Sequence, residues 1–283
     1  MWMRGYTRSL EHAGESGVMS GAARRLERRK EARQRLATLF RQPSQVQVIH
    51  YSCESFTDTP GGRSPRITSI AIRHAGSRQT RSFSIHQVAE RRGLSQVEME
   101  DSYDLLEKIM LDEFYELVRA QLASYWIHWN MRDINYGFLA LAHRYRVLGG
   151  DPVEMPESHL FDLASKLIEI YGGSYAPHPR LERIMEINQI SGLNFLAGKD
   201  EARAFTERDY VKLHQSTLRK VDVIHTIAER EWDGSLRTNA KLRDQLGTSV
   251  TAWVDWATGT WVFKLAGGIG IAVSLGRSLA GLF

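Results

Sequence analysis

Cysteine is nearly absent from this chain of 283 residues. Cys53 stands alone, which excludes an internal disulfide and points to a reducing, cytosol-facing setting. There is no zinc-type Cys/His spacing either, and the ten histidines are scattered without the pattern of a metal cage. Residues 1–18 lack both the sustained apolar core and the small-residue cleavage site of a signal peptide. They carry no periodicity and read as a disordered start, with Met19 an alternative first residue. The charge-free part of the C-terminal tail, Leu265–Gly276, has 12 residues, short of the roughly 18 that mark a membrane-spanning helix. No internal repeat is present.

What the chain does have is ordinary for a globular protein: 42% apolar and 25% charged residues, enough for one large core or two small ones. The net charge of +4 is local in origin. Arg24, Arg25, Arg28, Arg29, Lys30, Arg33, Arg35 and Arg41 are opposed within their segment only by Glu27 and Glu31. That segment is therefore more basic than the whole chain, and the remainder is slightly acidic. Gly21 to Phe40 is rich in Ala, Arg, Glu and Leu, all good helix formers. Its apolar positions (Leu26, Leu36, Leu39, Phe40) look too few for a core helix, so the expectation is a solvated basic arm. Arg24, Arg25, Arg28, Arg29 and Arg33 are its candidates for contact with phosphates or anionic lipid.

From Gln45 the pattern becomes that of a folded domain. Val46–Ser52 alternates like a strand, Asp58–Pro65 is turn-rich, and Arg66–Arg73 and Gln79–His86 read as two further strands, together an antiparallel meander. Ser95–Ser124 carries apolar residues at three- and four-residue intervals and reads as one long helix. A short apolar strand, Tyr125–Trp129, follows it, and then a helix through Phe138, Leu141 and Tyr145 that stops at Gly149-Gly150. Further helices are expected at Ser158–Tyr171, Pro179–Asn188, Lys199–Phe205 and Tyr210–Glu231. The junction after the Tyr125–Trp129 strand is where a sheet edge offers side chains and free backbone N–H groups to a ligand. His128 and Asn130 lie there, so part of any functional centre is expected at this edge.

The order of elements and three motifs resemble an RNase H-like domain of the DEDD 3′–5′ exonuclease superfamily, across roughly Gln45 to Glu231. The family's first motif, Asp-x-Glu on the first strand, corresponds to Ser52-Cys53-Glu54. Its second, His-Asn-x-x-Phe-Asp after an apolar strand, corresponds to His128-Trp129-Asn130-Met131-Arg132-Asp133, one residue irregular, with Asn135 and Leu139 beyond. The preceding acidic amphipathic helix, Leu106–Phe114, is also similar. The third motif, Asp-Ala with a histidine five residues earlier, has its nearest equivalent in Asp200-Glu201-Ala202, where Leu196 stands at the histidine position. Asp222 is a second candidate acid. The resemblance implies an α/β fold with an RNase H-like mixed sheet flanked by helices. It also implies catalysis by Glu54, Asp133, Glu201 and Asp222, with Mg²⁺ or Mn²⁺ held by Glu54, Asp133 and Glu201.

Two-metal hydrolysis requires several carboxylates converging on a pair of hard cations. Ser52 and Asn135 bring no charge to that task, and Leu196 removes the general base. The residues therefore favour a catalytically eroded domain that binds nucleic acid or a protein partner. A metal-dependent, membrane-anchored 3′–5′ exonuclease and a structural subunit of an oligomer are the alternatives. Local packing explains single residues equally well: Asn130 and Asp133 are favoured helix starters, and His128 beside Trp126 and Trp129 fits a core.

The composition changes again after Asn239. Trp256–Phe283 is strongly apolar and interrupted only by Lys264 and Arg277. These two lie about 20 Å apart along a helix and could reach opposite membrane interfaces. Small residues recur every four positions, Ala266, Gly270, Ser274, Ser278 on one face and Gly268, Ala272, Gly276, Ala280 on the next, as in packed membrane helices. The expectation is a disordered start and basic helix (1–44), an RNase H-like domain (45–240) and a hydrophobic glycine-rich helical tail (241–283). The tail would engage a membrane or mediate oligomerisation through Trp256, Trp261, Lys264, Gly268, Gly270, Gly276 and Arg277. This arrangement places the protein at the cytoplasmic face of the inner membrane, or in the cytoplasm if the tail serves assembly alone. It would suit a bacterial toxin or antiphage defence effector, by analogy of domain arrangement.

Overall fold

The computed structural model describes residues 21–54, 64–133 and 135–241. Arg28–Gln245 forms one compact unit. Of the remaining residues only 21–27, the start of the first helix, are described.

The protein is α/β, with a five-stranded mixed sheet flanked by helices. Strands β1 (Val46–Cys53), β2 (Ile67–His74) and β3 (Thr80–Ser84) form the expected antiparallel meander. Strand β4 (Tyr125–His128) then pairs in parallel with the other side of β1, and β5 (Leu160–Asp162) in parallel with β4. The order across the sheet is β3-β2-β1-β4-β5. Nine helices are described: α1 (Gly21–Arg41), α2 (Ile85–Arg91), α3 (Gln96–Asp101), α4 (Tyr103–Ala120), α5 (Phe138–Val147), α6 (Leu163–Tyr171), α7 (Arg180–Ile187), α8 (Gly198–Thr206) and α9 (Tyr210–Asp233).

Strand β1 is central, and all eight of its residues are buried. Its even-numbered apolar residues, Val46 and Val48, pack with α1, α6, α7 and the second half of α9. Its odd-numbered ones, Ile49, Tyr51 and Cys53, pack with α2, α4 and α5. A strand covered on both faces is normally an unbroken apolar run. This one carries Gln47, His50 and Ser52 inside, so polar atoms sit at the centre of the molecule and need partners.

Four expectations are corrected by packing. The first concerns α1, which is not a solvated arm throughout. Ala32, Leu36, Leu39 and Phe40 form one buried face, and Arg33 pairs with the buried Glu231 at 3.2 Å. Four apolar positions suffice because they cluster in the last three turns. The long helix expected at Ser95–Ser124 is two helices. A capping box of Ser95 and Glu98 starts α3, and the chain leaves helical geometry at Ser102 before α4. The third strand stops at Ser84, where α2 begins, so His86 is helical. Finally, Ser158–Tyr171 is not one helix. Its first residues form a short 3-10 turn and then β5, and α6 starts only at Leu163.

The hydrophobic tail, with Trp256, Trp261, Lys264, Gly268, Gly270, Gly276 and Arg277, lies outside the described residues, as does most of the turn at Asp58–Pro65. Among the described residues no helix is long and apolar enough to cross a membrane.

Candidate functional site

The carboxyl ends of β4 and β5 meet the starts of α5 and α6. After His128 the chain turns sharply through Asn130, whose φ of 55° is the left-handed conformation that asparagine tolerates better than most residues. The Asn130 N–H donates to Asp162 Oδ1 at 3.0 Å, and the Met131 N–H donates to His128 Nδ1 at 3.2 Å. Asp162 also caps α6, accepting from the Ser165 N–H at 3.5 Å. The turn closes at Gly137, where a Cβ would lie 2.6 Å from the Met131 carbonyl oxygen, so only glycine fits. The Gly137 N–H donates to the Tyr51 hydroxyl at 2.9 Å, fastening the turn to β1.

These elements enclose a cavity of about 590 Å³. Met131, Phe138, Leu139, Val153, Met155 and Leu160 supply apolar walls, while His128, Arg132 and Asp162 supply polar groups. Arg35, Glu154, Glu157 and Lys166 line it as well, so apolar and charged groups share the walls, and the volume is that of a small-ligand site. Burial, opposed by the Asp162 carboxylate and aided by Arg132, lowers the His128 pKa to about 4. The ring is therefore neutral at pH 7. Because Nδ1 accepts the Met131 N–H, the ring proton sits on Nε2. Arg132 Nη1 lies 3.1 Å from Asp162 Oδ2, yet that buried oxygen accepts no hydrogen bond.

A second polar cluster lies between β1, α8 and α9. Lys220 Nζ sits 2.7 Å from Glu201 Oε2 and over the Phe195 ring at 5.2 Å. The Ser216 hydroxyl donates to Glu201 Oε1 at 3.1 Å and accepts the Leu196 N–H, also at 3.1 Å. The Tyr136 hydroxyl donates to the Tyr51 carbonyl at 3.0 Å, leaving His50 Nδ1, 3.2 Å away, as the donor toward it. Burial and the Lys220 charge push His50 well below the ordinary histidine range, so it is neutral. Ser69 and Thr217 share a hydrogen bond of 2.7 Å between β2 and α9.

The four expected catalytic acids are dispersed among separate roles. Glu54, at the end of β1, accepts from the Arg66 N–H at 3.4 Å. Asp133 is exposed and braces its own turn, accepting from the Asn135 N–H at 2.8 Å. Glu201 belongs to the Lys220 cluster. Asp222 accepts from Arg219 at 2.5 Å and lies 3.6 Å from Arg73. Among the described residues no three His, Cys, Asp or Glu side chains, Glu54, Asp133 and Glu201 included, are grouped so that they could hold an ion.

Among the expected nucleic-acid contacts, Arg24, Arg25 and Arg28 are exposed and make no ion pair among the described residues. Arg29 is half-buried and Arg33 is committed to Glu231. His128 faces the cavity, and Asn130 serves the turn. The residue that sequence reading missed at the carboxyl edge is Asp162. Its signal was available: Leu160-Phe161 followed by Asp162 and, three residues on, Ser165 is a short apolar strand running into an N-cap. Lys220 carried no local signal, since its partner lies on another helix.

Comparison of the chain with protein-family models, with curated proteins and with solved structures gave no match.

Proposed function

We propose that the folded body is an RNase H-like domain that has lost hydrolysis and binds nucleic acid, coupled to a tail that associates with a membrane. The observation that carries this reading is the Lys220–Glu201 pair beneath β1. Two-metal cleavage needs carboxylates whose charge is free to meet cations. Here Glu201 is already neutralised by an ammonium 2.7 Å away, the same ammonium acts on a neutral His50, and Ser52 brings no charge. The antiparallel meander followed by β4 and β5, parallel on the far side of β1, supports the fold-level part of the proposal. Arg24, Arg25 and Arg28, each exposed and without an ion pair among the described residues, supply positive charge for phosphates.

The test uses the full chain with end-labelled single- and double-stranded DNA and RNA, in Mg²⁺ and in Mn²⁺. The expected result is a salt-dependent gel shift without cleavage. The triple replacement of Arg24, Arg25 and Arg28 by glutamate should weaken the shift and flatten its log–log salt slope by about 3. Cleavage abolished by Glu54→Gln would overturn the erosion and restore the exonuclease. Absence of any shift would overturn nucleic-acid binding and favour a protein partner. Removing Trp256–Phe283 should release the protein from the membrane pellet; a wild-type chain already in the supernatant would refute the membrane role.

A further inference from the structure

The cavity at the carboxyl edge of β4 and β5 is used by neither the basic face of α1 nor the Lys220 cluster. Two neighbouring lining residues, His128 and Asp162, whose Nδ1 and Oδ1 lie 4.0 Å apart, each keep a polar atom in reserve. His128 is neutral and spends Nδ1 on the Met131 N–H, so Nε2–H is its remaining donor, and no described residue accepts from it. Asp162 spends Oδ1 on the Asn130 and Ser165 N–H groups; Oδ2 faces the exposed Arg132 guanidinium at 3.1 Å without a hydrogen bond from it, and so keeps a lone pair as acceptor. A buried polar atom without a hydrogen bond requires an explanation, and a bound ligand is one.

The remaining lining narrows the chemistry. Three cations, Arg35, Arg132 and Lys166, are matched by three acids, Glu154, Glu157 and Asp162. Arg35 already donates to the Ser158 and Leu160 carbonyls at 2.8 Å each, and Lys166 pairs with Glu169 at 2.8 Å. A polyphosphate would find no spare positive field there. Between these charges the walls carry Met131, Phe138, Leu139, Val153, Met155 and Leu160, with the Phe138 ring set edge-on to His128 at 5.3 Å.

We propose that this cavity binds a planar nitrogen heterocycle with adjacent acceptor and N–H donor atoms, that is, a nucleobase, brought in as a free nucleoside or displayed on a single strand. Asp162 Oδ2 accepts the N–H of the base, His128 Nε2–H donates to the neighbouring oxygen or ring nitrogen, and the walls around Phe138 take its faces. The assignment rests on the cavity and not on the nucleic-acid reading of α1.

The experiment is calorimetric titration of the full chain with uridine, with N3-methyluridine and with a short single-stranded oligouridylate. Methylation removes the N–H meant for Asp162, so it should weaken binding to the wild type at least about tenfold. Asp162→Asn keeps a good N-cap for α6 and should weaken uridine by a similar factor. If this variant fails to fold, the methylated probe still decides the matter. The triple glutamate variant of Arg24, Arg25 and Arg28 should bind uridine as the wild type does, which separates this site from the basic face. Uridine bound alone identifies a free nucleoside as a sufficient ligand. Binding of the oligonucleotide only, still sensitive to Asp162→Asn, identifies a base presented on a strand. Absence of binding by both probes, or binding indifferent to methylation and to Asp162→Asn, would overturn the proposal.

Discussion

Between β1 and α9, Lys220 and Glu201 close on each other; at the ends of β4 and β5, Arg132 and Asp162 close only in part. Both clusters contain a neutral histidine, a buried carboxylate and a cation, and both hang from parallel strands of one sheet. In the first, the side chains of Lys220 and Glu201 are 8% and 4% exposed, and Ser216 satisfies the second carboxylate oxygen. In the second, Arg132 is 60% exposed and Asp162 keeps an oxygen without a hydrogen bond. A closed group can only hold structure together, whereas an open one beside a cavity has capacity left for a ligand. The difference lies in leftover hydrogen-bonding capacity and not in residue types.

The largest expected effect separates the two directly. Lys220→Met leaves the Glu201 charge buried without its partner and should destabilise the fold by about 3–5 kcal/mol. Adding Glu201→Gln should recover most of that, and denaturant unfolding of the single and double variants measures both. A single variant as stable as the wild type would mean that the closed cluster is not closed.

Acid should act next, through His128. Its folded pKa of about 4 is below the unfolded value, so the unfolded chain binds more protons between those values. The contribution of the neutral ring is complete above about pH 6.5 and is lost as pH falls toward 4, by up to about 3 kcal/mol. His128→Asn preserves an acceptor for the Met131 N–H and does not titrate. The stability gap between wild type and this variant should therefore shift against the wild type between pH 7 and 4.5. A gap independent of pH would place the ring outside the buried environment.

The smallest effect concerns the open cluster itself. Asp162→Ala removes the N-cap of α6 and should cost about 1 kcal/mol, while Asp162→Asn should cost only a few tenths. A much larger loss for the asparagine variant would show that the carboxylate is structural after all, as Glu201 is.

Much of this architecture is legible in the chain because periodicity is local. The meander, the Tyr125–His128 strand and helices α5, α7, α8 and α9 follow from patterns with a period of two or of 3.6 that a short window contains. So does the display of His128 at the carboxyl end of β4, since a strand that ends in His128-Trp129-Asn130 presents these residues at a sheet edge. Strand β5 was hidden in the expected helix: its three residues hold too little alternation, and the Asp162–Ser165 cap spacing was the only local sign of the break. The burial of α1 was hidden for a related reason, its four core residues being diluted by arginines such as Arg33 and Arg35, whose partners lie in α6, α9, β5 and the turn before β5.

The sequence by itself determined the class of the fold, the order of its elements and the edge at which His128 is displayed, because each of these depends on neighbours along the chain. Only the tertiary structure decided that Lys220 neutralises Glu201 and that Asp162 lines a cavity with one oxygen held by the exposed Arg132 alone. Such ion pairs and leftover hydrogen-bonding groups arise between residues on different elements, and the energy that selects them exists only once those elements have packed.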